Sequence, residues 1–472
     1  MDILNNHNAL YTDLYELTMA QAYFYSGQKD KTATFDYFFR ANPYQGGYAI
    51  FAGLNTLIDT LQNFKFTQND IDYLRKNGFK EEFLTYLKNF SLSITVTGVR
   101  EGEVVFPIEP VLKVEGNIIE CQLVETIFLN YLNFETLIAT KASRIKKSAG
   151  NKLFSDFGLR RAQGIGGIQA SRAAYIGGAD ATSNVLSGYL FNIKTNGTQA
   201  HSWIQSFDDE LTAFRKYVEV FPQNSILLVD TYNTLNSGVP NAIKVGRELK
   251  EKGYTLKGVR LDSGDLAYLS KKTRKMLDDA GFKETIILAS NQLDEYLIRS
   301  LNEQNAPIDG YGIGTELITG KKTAALDGVY KLSEFNNEPR LKLSDTFQKI
   351  SIPGNKKIYR YFDKEGLFYA DGIALNDENE TKIIHHPYER NVKCNLEGYT
   401  KENIYHTFIE NGKIKEREKD VNQIKNYAIK RMKQLPDEHK RFEKPHIYKV
   451  GISEKLNNIR NDMVNQIKRK RG

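Results

Sequence analysis

At 472 residues, 40% of them hydrophobic and 11% aromatic, the chain is too long for one ordinary core and too apolar for a disordered polypeptide. Its net charge of +7 is a mild excess that suits phosphorylated or carboxylated ligands and offers weak support for nucleic acid as a partner. Two cysteines, Cys121 and Cys394, argue against a disulfide framework or zinc site and for a reducing cytoplasm, while no apolar run approaches the roughly 18 residues of a membrane span and the first residues lack a signal-peptide pattern.

Three regions follow one another. Residues 1–135 mix strands, at 32–40 and 101–116, with helices; "FTQNDIDYLRKNGF" reads as a helix with a Thr cap and a Gly stop, and 120–150 as a long amphipathic helical stretch. In residues 136–345, short apolar strands ending in polar or Gly-rich residues alternate with helical segments about seven times. That alternation predicts a parallel sheet, and ligand-type residues after nearly every strand favour an α/β fold of the β/α-barrel kind over an open doubly wound sheet. Residues 346–472 contain "RYFDKEGLFYADGIAL", a β-hairpin pattern, and end in the basic "NQIKRKRG", read as a solvated helix end in preference to a nucleic-acid or localisation signal.

The strand ends of the middle region carry the chemistry. "DFGLRRAQG" offers Phe157 for stacking and Arg160 and Arg161 for phosphates, one of which could be structural. "GTQAHSW" places His201 among small residues; in isolation it reads either as a packed ring at a strand end or as a nucleophile. "LLVDTYNT" ends an apolar run in Asp230, and "GVRLDSGDL" puts Arg260 and Asp262 on one side of a strand with Asp265 after a Ser-Gly turn. An arginine fork matches carboxylate or phosphate, and such acids can hold Mg²⁺ or ribose hydroxyls; an Arg–Asp pair closing the barrel is the plain alternative. "LASNQLDE" gives Ser290 and Asn291, and "GYGIGTELITG" gives Gly310, Gly312, Gly314 and Thr315, either a phosphate cradle or a tight turn. Together these residues predict an enzyme acting on a phosphorylated, sugar-like anion with Mg²⁺, without naming the reaction. Asp180, in "GGAD", also reads as a strand-end acid, one that would repel a carboxylate ligand unless it is paired or protonated.

These strings, with "TDLYELTMAQAYF", "FDYFFRANPYQGGYAIFAGL", "GGADATSNV" and "HIYKVGISEKL", occur in an order that resembles the nicotinate phosphoribosyltransferase family over almost the whole chain. The resemblance implies an irregular β/α barrel beside an α/β domain built from the N-terminal region and a C-terminal extension that packs back on the other domains. It also implies a homodimer with active sites at the interface. The implied reaction joins nicotinate to 5-phosphoribosyl-1-diphosphate, with ATP as co-substrate, in NAD salvage. On this resemblance Tyr15, from the neighbouring subunit, and Phe157 would sandwich the pyridine ring, Arg260 would bind its carboxylate with Thr198 nearby, and Thr315 with its glycines would hold the 5-phosphate. Arg160, Asp230, Asp262 and Asp265 would position ribose, diphosphate and Mg²⁺, and His201 would be the phosphohistidine charged by ATP. Nicotinamide or quinolinate as the base, and a non-catalytic binder suggested by the basic tail, are the competing readings; quinolinate would call for more cations than Arg260 alone.

Overall fold

The computed structural model describes residues 7–343, 350–389, 391–418 and 420–471. The chain divides into two compact units, residues 1–140 with 325–472, and residues 141–324.

In the first unit, a seven-stranded antiparallel sheet contains Thr32–Phe39, which pairs with Leu112–Asn117 on one side and Gly328–Phe335 on the other. Residues 325–343, grouped by sequence with the barrel, therefore belong here, because the Gly328–Phe335 strand finds its hydrogen-bonding partner at Thr32–Phe39. Phe35 and Tyr330 stack across this pairing at 4.7 Å, within the buried core. A second, six-stranded sheet contains the expected hairpin, Lys356–Phe362 with Phe368–Leu375, turned at the left-handed Gly366. Arg360 on this hairpin is fully buried and bonded to Asp371 and Glu103, both at 2.5 Å, so its charge is paired from two sides. The Thr-capped helix forms as Gln68–Lys76 with reciprocal Thr67 and Asp70 caps. The final helix, Glu454–Arg471, carries Lys468, Arg469 and Lys470 exposed at its end.

The second unit is built on six strands, every neighbouring pair parallel, in the order Ala181–Thr182, Leu153–Asp156, Gly310–Ile313, Ile286–Ala289, Gly258–Leu261, Ile226–Leu228. Helices such as Gly166–Ile176, Val239–Glu251, Leu266–Asp279 and Glu295–Glu303 alternate with them, as the βα rhythm requires. Thr195 adds a single parallel bridge beyond Thr182, but no ladder pairs residues 194–196 with Ile226–Leu228 among the described residues; the Gln199 side chain instead donates to the Ile226 carbonyl at 3.4 Å. The barrel expected from sequence is thus a curled parallel sheet whose hydrogen bonding stays open at this seam. Among the described residues no helix is long and apolar enough to cross a membrane.

Candidate active site

Parallel strands deliver their C-terminal ends to one edge of the sheet, and the residues following them form the site. On Gly258–Leu261, Val259 and Leu261 are fully buried, whereas Arg260 lies on the opposite face with Gly258. Arg260 donates from Nη1 to Thr198 Oγ1 at 2.8 Å and from Nη2 to the Gln199 carbonyl at 3.0 Å; its buried Nε has no partner among the described residues. Burial pushes the guanidinium pKa down, opposed by the charges of Asp262 and Asp230, and Arg160 is near enough to add a further downward push. An arginine remains protonated under such conditions, so the site holds a partly desolvated cation with unspent donor capacity.

Asp230 follows Ile226–Leu228 and accepts through Oδ2 from the Asp262 backbone N–H at 2.8 Å and from Ser263 Oγ at 2.6 Å, while its buried Oδ1 has no partner among the described residues. Asp262 accepts from the Ser290 hydroxyl through Oδ1 and places Oδ2 3.6 Å from His201 Nε2. The other His201 nitrogen, Nδ1, lies 3.1 Å from Thr231 Oγ1. His201 therefore faces this acid cluster rather than packing into the core; its side chain is 40% exposed.

Phe157 is anchored by its N–H to the Ile313 carbonyl at 2.8 Å, and its ring lies against Gly312, where a Cβ would come within 2.4 Å of it. Gly312, read from sequence as part of a phosphate cradle, is therefore the space that this ring occupies. At Gly314 an added Cβ would meet nothing closer than 3.5 Å, and Thr315 begins the short helix Thr315–Ile318 beside it. Ser290 is nearly buried with its hydroxyl spent on Asp262, so it serves the acid cluster; Asn291 and Gln292 after it both adopt left-handed backbone, at φ 95° and 48°. Arg160 and Arg161 sit exposed on the turn Leu159–Arg161, neither with an ion-pair partner among the described residues.

Other predicted residues stand apart. Asp265 caps Leu266–Asp279 by accepting from the Tyr268 N–H at 3.0 Å, and no group of three or more His, Cys, Asp or Glu able to hold a metal forms among the described residues. Tyr15 lies in the first unit, on the helix Leu14–Tyr25, 47% exposed. Asp180 precedes its strand instead of ending it: Oδ2 accepts from the Phe154 N–H at 3.0 Å and from Lys146 Nζ at 3.2 Å, which places its charge at the strands' N-terminal edge with a lysine beside it.

Sequence reasoning passed over Asp156. It is wholly buried, accepting from the Gly158 N–H at 2.8 Å and from the hydroxyls of Ser171 and Thr182 at 2.7 and 2.8 Å. It thereby ties the turn carrying Phe157 to a neighbouring helix and strand. An acid ending an apolar strand directly before Phe157 was the available signal. A cavity of about 510 Å³ opens along the inner face of the sheet, with Phe157, Asn196, Gly197, Arg260 and Gly312 on its wall.

Family models cover most of the chain: the nicotinate phosphoribosyltransferase N-terminal domain at residues 10–133, the nicotinate phosphoribosyltransferase family at 153–390 and the C-terminal domain at 355–460. The nicotinate phosphoribosyltransferase of Bacillus subtilis is 42% identical over 457 residues, covering 94% of this chain and 93% of that protein. That of Caenorhabditis elegans is 38% identical over 514 aligned residues, covering 95% and 92%. The crystal structure of human nicotinic acid phosphoribosyltransferase superposes with a TM-score of 0.85 at 29% identity, covering 96% of this chain and 99% of that one.

Proposed function

The chain belongs to the nicotinate phosphoribosyltransferase family, and from that premise we propose that it joins nicotinate to 5-phosphoribosyl-1-diphosphate, releasing diphosphate and forming nicotinate mononucleotide. The observation that carries this reading is Arg260: a buried guanidinium held by Thr198 and the Gln199 carbonyl, with Nε unpartnered beside a cavity. A single planar carboxylate is the group such a fork accepts best. With the carboxylate there and the ring against Phe157, the pyridine nitrogen is left to meet ribose at the strand ends. Its lone pair forms the bond to the anomeric carbon as the bond from that carbon to the diphosphate oxygen breaks, and the electron pair leaves with diphosphate. Holding the two in line supplies most of the rate.

Arg160, Asn291, Gly314 and Thr315 bind the phosphates of the ribosyl donor. Asp230 and Asp262 suit Mg²⁺, which takes one or two carboxylates and completes its shell with water and substrate phosphates; the unpartnered Asp230 Oδ1 is the oxygen to spare. When bound, the ion would neutralise charge on the departing diphosphate. Asp265, committed to its helix cap, has less to give.

His201 couples ATP to this transfer. One ring nitrogen attacks the γ-phosphorus of ATP as the bond to ADP breaks, with Asp262 and Thr231 standing beside the two nitrogens to orient the ring; water later takes the phosphoryl group as phosphate. Tyr15 of a second copy closes the ring's other face in a homodimer. The free cysteines, Cys121 and Cys394, suit a cytoplasmic enzyme. The test is diphosphate release from phosphoribosyl diphosphate with nicotinate, nicotinamide or quinolinate, with and without ATP, in wild type and His201→Ala. Turnover with nicotinate alone among the bases, raised in extent by ATP only when His201 is present, supports the reading. ATP that is neither hydrolysed nor alters the extent overturns the coupling.

A further inference from the structure

Ordinary β/α barrels fill their interior with layers of branched side chains. This sheet does not. By strand alternation and register, Leu153 and Ser155, Gly258 and Arg260, Ile286 and Leu288, and Gly310 and Gly312 share the inner face. Three of these are glycines, and the cavity of about 510 Å³ runs past them from the first residues of their strands to Phe157 and Arg260 at the last. Leu153, an inward apolar side chain at the N-terminal edge, is 60% exposed, and Phe221, also on the cavity wall, is 51% exposed. The interior therefore reaches solvent at its N-terminal edge, and Phe157 and Arg260, each half-buried, stand at its other end. The wall includes the cations Lys194, Lys257 and Arg260 and no Asp or Glu among the described residues. Lys194 and Lys257 are exposed, and Lys257 is steadied by Asn224 Oδ1 at 3.1 Å.

We propose that this interior is a second access route, by which the aromatic carboxylate reaches Arg260 from the N-terminal end of the sheet, past Lys194 and Lys257. The inference rests on the functional reading above. A ribosyl donor with its diphosphate and ion occupies the C-terminal mouth, where a base arriving later would meet a blocked path. The interior offers an apolar wall of Leu153, Ile286 and Leu288 for the ring face, and a basic walled channel concentrates an anion toward its far end.

The test measures the steady-state constants of Lys194→Glu/Lys257→Glu and, separately, Leu153→Trp, which narrows the N-terminal opening. The charge reversal should lower kcat/KM for nicotinate about tenfold, with the deficit shrinking at high salt and with KM for phosphoribosyl diphosphate unchanged. Leu153→Trp should slow nicotinate binding to enzyme already saturated with phosphoribosyl diphosphate, yet leave binding to donor-free enzyme nearly intact. Lys194→Arg/Lys257→Arg should behave as wild type. Should one variant fail to fold, the other decides. Unchanged nicotinate constants, or equal losses for both substrates, overturn the route while leaving the reaction standing. Wild-type protein that never turns over nicotinate overturns both.

Discussion

His201 Nε2 stands 3.6 Å from Asp262 Oδ2, with Nδ1 of the same ring 3.1 Å from Thr231 Oγ1. The ring is thus oriented from both sides by residues that follow two other strands. Asp262→Asn removes the negative charge beside Nε2 and should slow formation of ADP from ATP by about 10²-fold, the usual worth of a positioned acid or base. Thr231→Val should cost far less. Rapid-quench measurement of ADP and of acid-labile phosphoenzyme reads both; an Asp262→Asn enzyme with normal phosphoenzyme would remove Asp262 from this role.

Arg260 joins Thr198 and Gln199 to the cavity, and its loss should be selective. Arg260→Ala should raise KM for nicotinate about 10²-fold and leave that for phosphoribosyl diphosphate nearly unchanged. Arg260→Lys should recover only part, because an ammonium lacks the planar fork. Equal losses for both substrates would count against a carboxylate role.

Gly312 and Gly314, two residues apart, should respond in opposite ways. Gly312→Ala drives a methyl into the Phe157 ring and should cost about 1–3 kcal/mol of stability along with nicotinate affinity. Gly314→Ala meets only ordinary contacts, so the fold should be unaffected and the effect confined to KM for the ribosyl donor. Urea midpoints and the two KM values separate them.

Asp156 is a buried carboxylate whose pKa burial raises, while its bonds from Ser171, Gly158 and Thr182 pull the other way. Asp156→Ala strands these donors and should cost about 2–4 kcal/mol, measurable as a drop in urea midpoint. Asp156→Asn keeps the shape and should lose less. A neutral result for Asp156→Ala would mean water replaces the carboxylate without cost.

Glu16, next to Tyr15, has its pKa raised to about 7, first by burial and further by Glu125, against the hydrogen bond from Gln122. The fold binds this proton more tightly than the unfolded chain does. Its contribution is therefore complete below the unfolded carboxyl pKa and is lost as pH rises through about 7. Between pH 5 and 8 the wild type should lose on the order of 1–2 kcal/mol that Glu16→Gln does not, seen as a flatter midpoint-against-pH profile in the variant.

Much of this molecule was legible from short stretches. The Thr67–Asp70 cap, the turn at Gly366 and the strand–helix rhythm of 141–324 depend on contacts within a few residues, so the sequence displays them directly. The same holds for the gathering of Arg260, Asp262, Asp230 and His201, since parallel strands carry their ends to one edge wherever the chain runs. Strings of small and charged residues do not announce which way each side chain turns. Asp180 looked like a strand-end acid and instead precedes its strand, tied to Lys146 and the Phe154 N–H. Gly312 looked like a phosphate contact and instead clears a place for Phe157.

By itself, then, the sequence determined the local elements, their alternation and the inventory of charged groups at one edge, because backbone propensity and two-residue periodicity act over short range. Only the tertiary structure decided that Asp262 is the acid facing His201, that Asp156 is a buried anchor for Phe157, that Gly328–Phe335 pairs with Thr32–Phe39, and that the inner face of the parallel sheet borders a cavity. Each of these depends on register and packing between segments distant in the chain, where a single hydrogen bond or an absent side chain settles the outcome.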